Sequence, residues 1–448
     1  MVLSSNIVIV LAIFKIKNKY IYFGGIVMAK ENLNPLENSQ RQVKAACDAL
    51  GLDPAVYEIL KEPQRVIEVN IPIRMDNGEM KSFKGFRASH NDAVGPTKGG
   101  VRFHPGVSLE EVKALSIWMT FKGGVMGLPY GGGKGGIICD PLTLSQGELE
   151  RLSRGYIDRL YKYLGEKEDI PAPDAGTNGQ IMAWMVDEYN KLTGTSALGV
   201  ITGKPVAWGG SEGRNEATGF GVSIITREAA KKFGIDIKKS KVAIQGFGNV
   251  GRFTVKNVQR QGAKIVAIGE WAPKVGTYAI YNEDGLDFND MLAYFNEHKN
   301  LVDYPKAKMI TLDQFFGLDV DILIPAALEN AITKEVAEKV KAKLICEAAN
   351  GPTTSEADEV LNARGIPVTP DILTNAGGVV VSYFEWVQNL QGYYWGEKEV
   401  EEKQEVKMMK SFNDVWNLHE QQKCTIREAA YMISVKKVAE VMKLRGWY

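Results

Sequence analysis

Apolar and polar residues alternate through "RVIEVNIPIRMDNGEMKSFKGFRASH" (65–90), on both sides of Asp76-Asn77-Gly78. A period of two around an Asn-Gly turn predicts a β-hairpin. The period then lengthens to that of a helix. Val112, Leu115 and Met119 form a stripe that Lys122 continues, and the helix is expected after Ser108, boxed by Glu111, ending at Gly123-Gly124. A second helix is expected after Ser145, boxed by Glu148, to about Gly165. A third begins near Asn178 with Thr177 as its cap, after the proline-broken loop "EDIPAPDAGTNGQ". The glycine-rich stretch 199–219 reads as a linker or hinge, and a helix follows Thr218 to about Phe233. Beyond it, "KVAIQGF", "AKIVAIGE", "VDILIPAAL", "AKLICEAAN" and "GIPVTPD" alternate with helical segments. That alternation predicts a parallel, doubly wound sheet. Helices return after Asn375, the last one after Thr425 with Glu428. The fold class is α/β.

Composition narrows the function classes. The 448 residues are 45% hydrophobic and 24% charged, with 54 basic and 54 acidic side chains. There is no global basic excess to hold nucleic acid. The four cysteines (Cys47, Cys139, Cys346, Cys424) are far apart and form no CxxC, which points to a reducing, cytoplasmic setting and no metal site. The run "IVIVLAIF" (7–14) is shorter than the roughly 20 residues a membrane span takes, and its lysines follow rather than precede it. Residues 1–27 are expected to be a non-native or disordered extension, with the true start at Met28.

"VAIQGFGNVG" (242–251) places Gly246, Gly248 and Gly251 in GxGxxG spacing between an apolar strand and a likely helix, with Glu270 ending the next strand. These are the parts of the dinucleotide fingerprint. Glu270 would accept from a ribose 2′-OH and repel a 2′-phosphate, which favours NAD; Lys274 could soften that preference.

Three lysines in glycine-bounded settings lie within forty residues: Lys98 in "GPTKGGVRFHP", Lys122 in "MTFK" and Lys134 in "LPYGGGKGG". The last is no phosphate loop, because Leu128 and Gly135 stand where that motif needs Gly and Ser or Thr. Taken alone, Lys122 reads as a lysine snorkelling from a helix C-terminus, and Asp174 in "PAPDAGT" as a turn or cap residue. Together with NAD they suit hydride transfer from an amino acid, with lysines holding carboxylates, a carboxylate taking the amine proton, and a lysine of depressed pKa activating water. The glycines around Lys134 are expected to let substrate and nicotinamide close over its amine.

From about residue 33 onward the chain resembles the glutamate/leucine/phenylalanine/valine dehydrogenase family, in its small hexameric glutamate-acting form. The resemblance rests on the segments quoted and on "GRNEATG", "EAANGPTT" and "LTNAGGVVVSYFEW". It implies that Lys134 is catalytic with Asp174 as proton-transfer partner, that Lys98 and Ser382 hold the side-chain carboxylate, and that Lys122 holds the α-carboxylate. It assigns Thr218, Asn249 and Val250 to the nucleotide, and Asn350 and Asn375 to the nicotinamide and substrate. It implies an N-terminal α/β substrate and oligomerisation domain (28–205, with 390–448 packing back on it) and a Rossmann-like NAD-binding domain (206–389). The expected activity is reversible deamination of glutamate to 2-oxoglutarate and ammonium, in a homo-hexamer without nucleic-acid or membrane partners. "GEWAPK" (269–274) departs from the family's commoner Ser-Asp-Ser, so NADP stays open beside NAD. The alternatives are a leucine-, valine- or phenylalanine-type dehydrogenase and a non-catalytic NAD-binding regulator.

Overall fold

The computed structural model describes residues 7–16, 19–28 and 34–448. Strands β1 (Ile7–Ile16) and β2 (Lys19–Met28) pair antiparallel, with Ile7 opposite Met28. Of the expected extension over 1–27, residues 1–6 and 17–18 lie outside the described residues.

The compact unit Pro35–Tyr448 contains two sheets. The first has five strands: β3 (Arg65–Arg74), β4 (Met80–Asn91), β5 (Thr97–Phe103), β6 (Gly131–Ile137) and β7 (Asp169–Pro173), in the order β3-β4-β6-β5-β7. The predicted hairpin is β3-β4, with Gly78 taking a left-handed φ of 88° in its turn. The second sheet has seven strands: β8 (Lys241–Gln245), β9 (Lys264–Ala272), β10 (Gly276–Tyr281), β11 (Lys308–Ile310), β12 (Ile322–Pro325), β13 (Leu344–Cys346) and β14 (Val368–Thr369). Its order is β11-β10-β9-β8-β12-β13-β14. The five strands expected from the apolar runs are its parallel part. The antiparallel β10 and β11 extend it and were not foreseen.

The helices used below are α1 (Pro35–Ala49), α2 (Leu109–Val125), α3 (Gln146–Leu160), α4 (Gly179–Thr193), α5 (Ala217–Lys232), α6 (Asn249–Arg260), α7 (Gly377–Gln391), α8 (Glu397–Gln422) and α9 (Ile426–Leu444). The capping boxes of α3 (Ser145, Glu148) and α9 (Thr425, Glu428) are complete. Three expectations need correction. Ser108 does cap α2, but the Glu111 carboxylate turns away to Arg102 instead of closing a box. Asn178, not Thr177, caps α4, and the Thr177 hydroxyl accepts the Asp174 N–H. Gly123 and Gly124 do not stop α2. A Cβ on Gly124 would lie 3.0 Å from Ser434 of α9, so the glycine serves close helix packing. The stop comes at Gly127 (φ 61°), where the Leu128 N–H reaches back to the Gly123 carbonyl at 2.9 Å, a Schellman ending.

The glycine run of residues 131–136 is a strand, not a turn, and is buried along its whole length. Its missing side chains are replaced by the protein itself. A Cβ on Gly132 would stand 2.1 Å from the Ser116 carbonyl oxygen and 2.3 Å from the Thr120 nitrogen, both in α2. On the other face a Cβ on Gly135 would meet the Tyr156 hydroxyl at 2.3 Å, and one on Gly133 would crowd Asp169 and Arg87 at 3.0–3.1 Å. The glycines therefore let α2 lie directly on β6; they do not clear space for a ligand around Lys134.

Gly132→Ala must push backbone against backbone. It is expected to destabilise the fold by about 1–3 kcal/mol or more, read as a lower denaturant midpoint. Gly248→Ala meets nothing within 4 Å and should leave the midpoint unchanged. An unchanged midpoint for Gly132→Ala would contradict this packing.

Candidate active site

Strand pairing sets the first part of the site. Lys98 lies opposite Gly132, and Lys134 lies two residues further along β6. Partners in register project to the same side of a sheet, so both lysines leave the face on which α2 rests. Gly100 and Arg102 follow Lys98 on that face at the same period, and Asp174 lies directly beyond the end of β7. Lys122 enters from the last turns of α2. All these residues line one cleft of about 1140 Å³, which the helices and loops around the second sheet complete with Thr218, Gly248, Asn249, Val250, Asn350, Asn375 and Ser382.

Lys134 Nζ donates to the Asp174 carboxylate in a buried ion pair. Arg102 Nε holds the other carboxylate oxygen at 2.9 Å. Burial lowers the proton affinity of Lys134, and nearby Arg102 adds to that, against the opposing pull of Asp174. Burial opposes the charge on Asp174, yet Lys134 and Arg102 together hold its carboxyl well below the usual carboxylate range. Lys122 Nζ donates to Asn350 Oδ1 at 2.9 Å, and burial brings its pKa down to about 8. Lys98 is 2% exposed, and among the described residues its Nζ makes only a long contact, 3.5 Å, to the Pro171 carbonyl. Burial and the neighbouring Arg214 push its pKa well below the ordinary lysine value. Ser382 Oγ accepts from Arg214 Nε at 2.9 Å.

Two members of this cleft escaped sequence reasoning. Arg102 was within a quoted motif, and alternation from Lys98 could have put it on the same face. Arg214 lies in the stretch read as a linker, within the quoted "GRNEATG", where no periodicity gives it a face; among the described residues it has no ion-pair partner. Both add positive charge where burial already disfavours it.

The residues expected to bind NAD fit a dinucleotide. Gly246 turns the chain at φ 102°. Gly251 leaves no room for a Cβ, which would stand 1.9 Å from the Gly246 carbonyl oxygen, whereas Gly248 faces open space. The start of α6 at Asn249 carries no side-chain cap, leaving N–H groups for a phosphate. Asn375 Nδ2 donates to the Ala348 and Ala349 carbonyls at 3.1 Å and to Asn350 at 2.9 Å, while its Oδ1 is buried without a partner among the described residues. Such an orphaned acceptor fits a ligand's amide N–H. Gly246, Gly251 and Glu270 do not line the cleft itself. Glu270 stands at the end of β9, its carboxylate accepting the Phe247 N–H at 2.6 Å and the Trp271 N–H at 2.9 Å. Lys274 takes a left-handed φ of 68° in the turn beyond.

Among the described residues no cluster of His, Cys, Asp or Glu is placed to hold a metal, and no helix is long and apolar enough to cross a membrane.

Comparison with known proteins agrees with this geometry. An NAD-specific glutamate dehydrogenase from Clostridioides difficile is 68% identical over 421 residues, 94% of this chain and 100% of that one. The crystal structure of glutamate dehydrogenase from Peptoniphilus asaccharolyticus is 60% identical, with a TM-score of 0.83, covering 93% of this chain and 100% of that one. The hetero-hexameric glutamate dehydrogenase from Thermus thermophilus, in its Leu-bound form, is 35% identical with a TM-score of 0.88, covering 94% and 99%. Residues 63–191 match the Glu/Leu/Phe/Val dehydrogenase dimerisation domain, and residues 209–446 match the Glutamate/Leucine/Phenylalanine/Valine dehydrogenase profile. The chain therefore belongs to the glutamate/leucine/phenylalanine/valine dehydrogenase family.

Proposed function

We propose that this cleft carries out the reversible oxidative deamination of L-glutamate: L-glutamate + NAD⁺ + water give 2-oxoglutarate + ammonium + NADH + a proton. The observation that carries the reading is the presence of two separate cationic places in one cleft, Lys122 with Asn350 and Lys98 with Ser382 and Arg214, beside the Lys134–Asp174 pair. A substrate with two carboxylates matches both places. A leucine-, valine- or phenylalanine-type substrate would leave buried Lys98 without a counter-charge, which is costly. The intact Lys134–Asp174 pair speaks against a non-catalytic regulator. The similarity to NAD-specific glutamate dehydrogenases supports the same substrate and cofactor.

Each side chain then has a task. Lys98 and Ser382 take the side-chain carboxylate and Lys122 the α-carboxylate. Asp174, held anionic by two cations, accepts a proton from the substrate ammonium and frees the amine. NAD, when bound, supplies the hydride acceptor. Lys134, whose proton is loosened by burial, assists water onto the oxidised carbon, and loss of ammonium leaves the keto acid. The turn Gly246–Gly251 and the start of α6 hold the pyrophosphate, with Thr218, Asn249 and Val250 beside it. Asn350 and Asn375 face the nicotinamide and substrate. Glu270, fixed by two backbone N–H groups, favours an unsubstituted ribose 2′-OH over a 2′-phosphate, so NAD rather than NADP is the proposed cofactor.

We assign residues 28–205 to the substrate domain, 206–389 to the nucleotide domain and 390–448 to helices packing back on the substrate domain. The packing of α9 on α1 and α2 supports this, whereas α8 also touches α5. A homo-hexamer is the proposed assembly, supported by the matched dimerisation domain and by the hetero-hexameric Thermus relative. The four unpaired cysteines support a cytoplasmic setting.

Lys134→Ala should lower kcat by about 10²–10⁴-fold or more while NAD affinity, read by fluorescence titration, stays nearly intact; turnover close to wild type would refute its role. The depressed pKa values of Lys98 and Lys122 give a sign for pH. Both lysines hold carboxylates only while protonated, so KM for glutamate should rise as pH climbs through about 8, the value for Lys122. A KM independent of pH across that range contradicts the assignment. Lys98→Leu with Ser382→Val should shift preference from glutamate toward apolar amino acids, and unchanged relative kcat/KM for glutamate and norleucine would count against it.

A further inference from the structure

One buried ion pair beside the cleft has no part in the chemistry above. The Lys204 and Glu385 side chains are both fully buried, with Nζ 2.6 Å from Oε1. Lys204 Nζ also donates to the Ile201 carbonyl at 2.6 Å. Glu385 accepts the Gly203 N–H at 2.7 Å and the Lys204 N–H at 3.3 Å. The segment 202–205 is thus pinned to α7 by an acid. A buried ion pair is weak evidence for stability, because desolvation offsets the attraction, so its location is what informs.

Glu385 lies one turn beyond Ser382 on α7. It is the carboxylate whose charge bears on both Lys98 and Arg214. Neither of those cations has an ion-pair partner among the described residues. The other acid near Lys98, Asp169, is occupied by Arg87 through contacts of 2.8 and 2.6 Å. Glu166, whose charge also bears on Lys204, accepts the Gly199 N–H at 2.7 Å, so Lys98, Arg214 and Lys204 are three cations around one shared acid, Glu385. Were Lys204 absent, Glu385 would be the anion nearest at hand for Lys98 and Arg214.

We propose that Lys204 is a specificity-positioning residue: by keeping Glu385 in its own ion pair, it leaves Lys98 and Arg214 to be neutralised by the substrate's second carboxylate. This rests on the glutamate reading above. Lys204 lines the cleft wall, but its Nζ is taken up by Glu385 and the Ile201 carbonyl, so it acts through Glu385.

Charge arithmetic supplies the test. Lys204→Met changes three cations and one acid to two and one. Lys204→Met with Glu385→Gln leaves two cations and no acid, the same net charge as the native corner. The full-length enzyme is assayed with NAD and either L-glutamate or L-norvaline, which carries a methyl in place of the side-chain carboxylate. Lys204→Met should raise KM for glutamate about tenfold or more with little change in kcat, and should alter kcat/KM for norvaline less than about threefold. The double variant should return KM for glutamate to within about threefold of wild type. A double variant as impaired as the single one, or equal losses for both substrates, would overturn the proposal. If Lys204→Met alone does not fold, the double variant decides: a glutamate-to-norvaline ratio near wild type supports the proposal, and a tenfold fall in that ratio overturns it. Wild-type enzyme that forms no NADH from glutamate would sink the glutamate reading and this proposal with it. An active wild type whose glutamate-to-norvaline ratio is unmoved by Lys204→Met sinks the proposal alone.

Discussion

The site depends on one contact, the backbone of α2 against the backbone of β6. A strand with a side chain at position 132 would hold the helix away; Gly132 lets the Ser116 carbonyl and Thr120 come where a Cβ would stand. Lys122 from the helix and Lys134 from the strand are thereby brought into one cleft. On the opposite face the same strand makes room for the Arg87–Asp169 pair, both 1% exposed, which also holds the Gly99 carbonyl at 3.0 Å. Gly99 in turn is pressed so closely on Gly133 that any Cβ would overlap its carbonyl oxygen. The contacts of β6 are therefore fitted by the absence of side chains, and Lys134 is the exception in a stretch otherwise of glycine from 131 to 136.

Burying that many cations is unfavourable unless something offsets it. Part of the offset is internal. Asp174 serves both Lys134 and Arg102, and Arg102 is shared further with Glu111. Part is left open: among the described residues Lys98 and Arg214 have no acid of their own, and Lys122 has a neutral amide. The protein thus holds a positive potential in the cleft that an anionic ligand relieves, while Lys134, the lysine proposed for proton transfer, is already paired with an acid. The division between satisfied and unsatisfied cations separates chemistry from recognition.

Much of this was legible where chemistry is local. Asn77-Gly78 marked its hairpin, Ser145 with Glu148 and Thr425 with Glu428 marked two helix starts, and GxGxxG after an apolar strand marked the nucleotide turn. The misses share a cause, tertiary contacts that no short window contains. Five glycines in seven residues have low strand propensity, and β6 is a strand only because β4 and β5 flank it. Glu111 had the spacing of a capping box but found a stronger partner in Arg102. Gly123-Gly124 looked like a helix stop because the sequence does not reveal that α9 crosses there. Lys122 could not be told from a snorkelling lysine until Asn350, far along the chain, came to meet it. The resemblance to a family supplied what spacing could not, namely which of several lysines share a cleft.

The C-terminal helix is part of this site and not an appendage to it. Arg427 at the start of α9 grips Glu347 at 2.9 and 2.7 Å and Asp358 at 3.0 Å, and lies 3.9 Å from Asp371. Asp371 lines the cleft and accepts the Gly351 N–H at 2.9 Å, next to the Asn350 that meets Lys122. Further along α9, Ser434 donates to the Phe121 carbonyl at 2.9 Å, one residue before Lys122. The helix therefore reaches Lys122 by two routes, one electrostatic through Asp371 and one through the backbone of α2. Glu347 is fully buried and its carboxyl is pushed up by burial even with Arg427 in place. Without that arginine it would be an uncompensated buried acid next to the strand end that carries Asn350. The end of the chain thus fixes the position of a lysine more than three hundred residues earlier, and the two halves matched by separate family profiles act as one electrostatic unit.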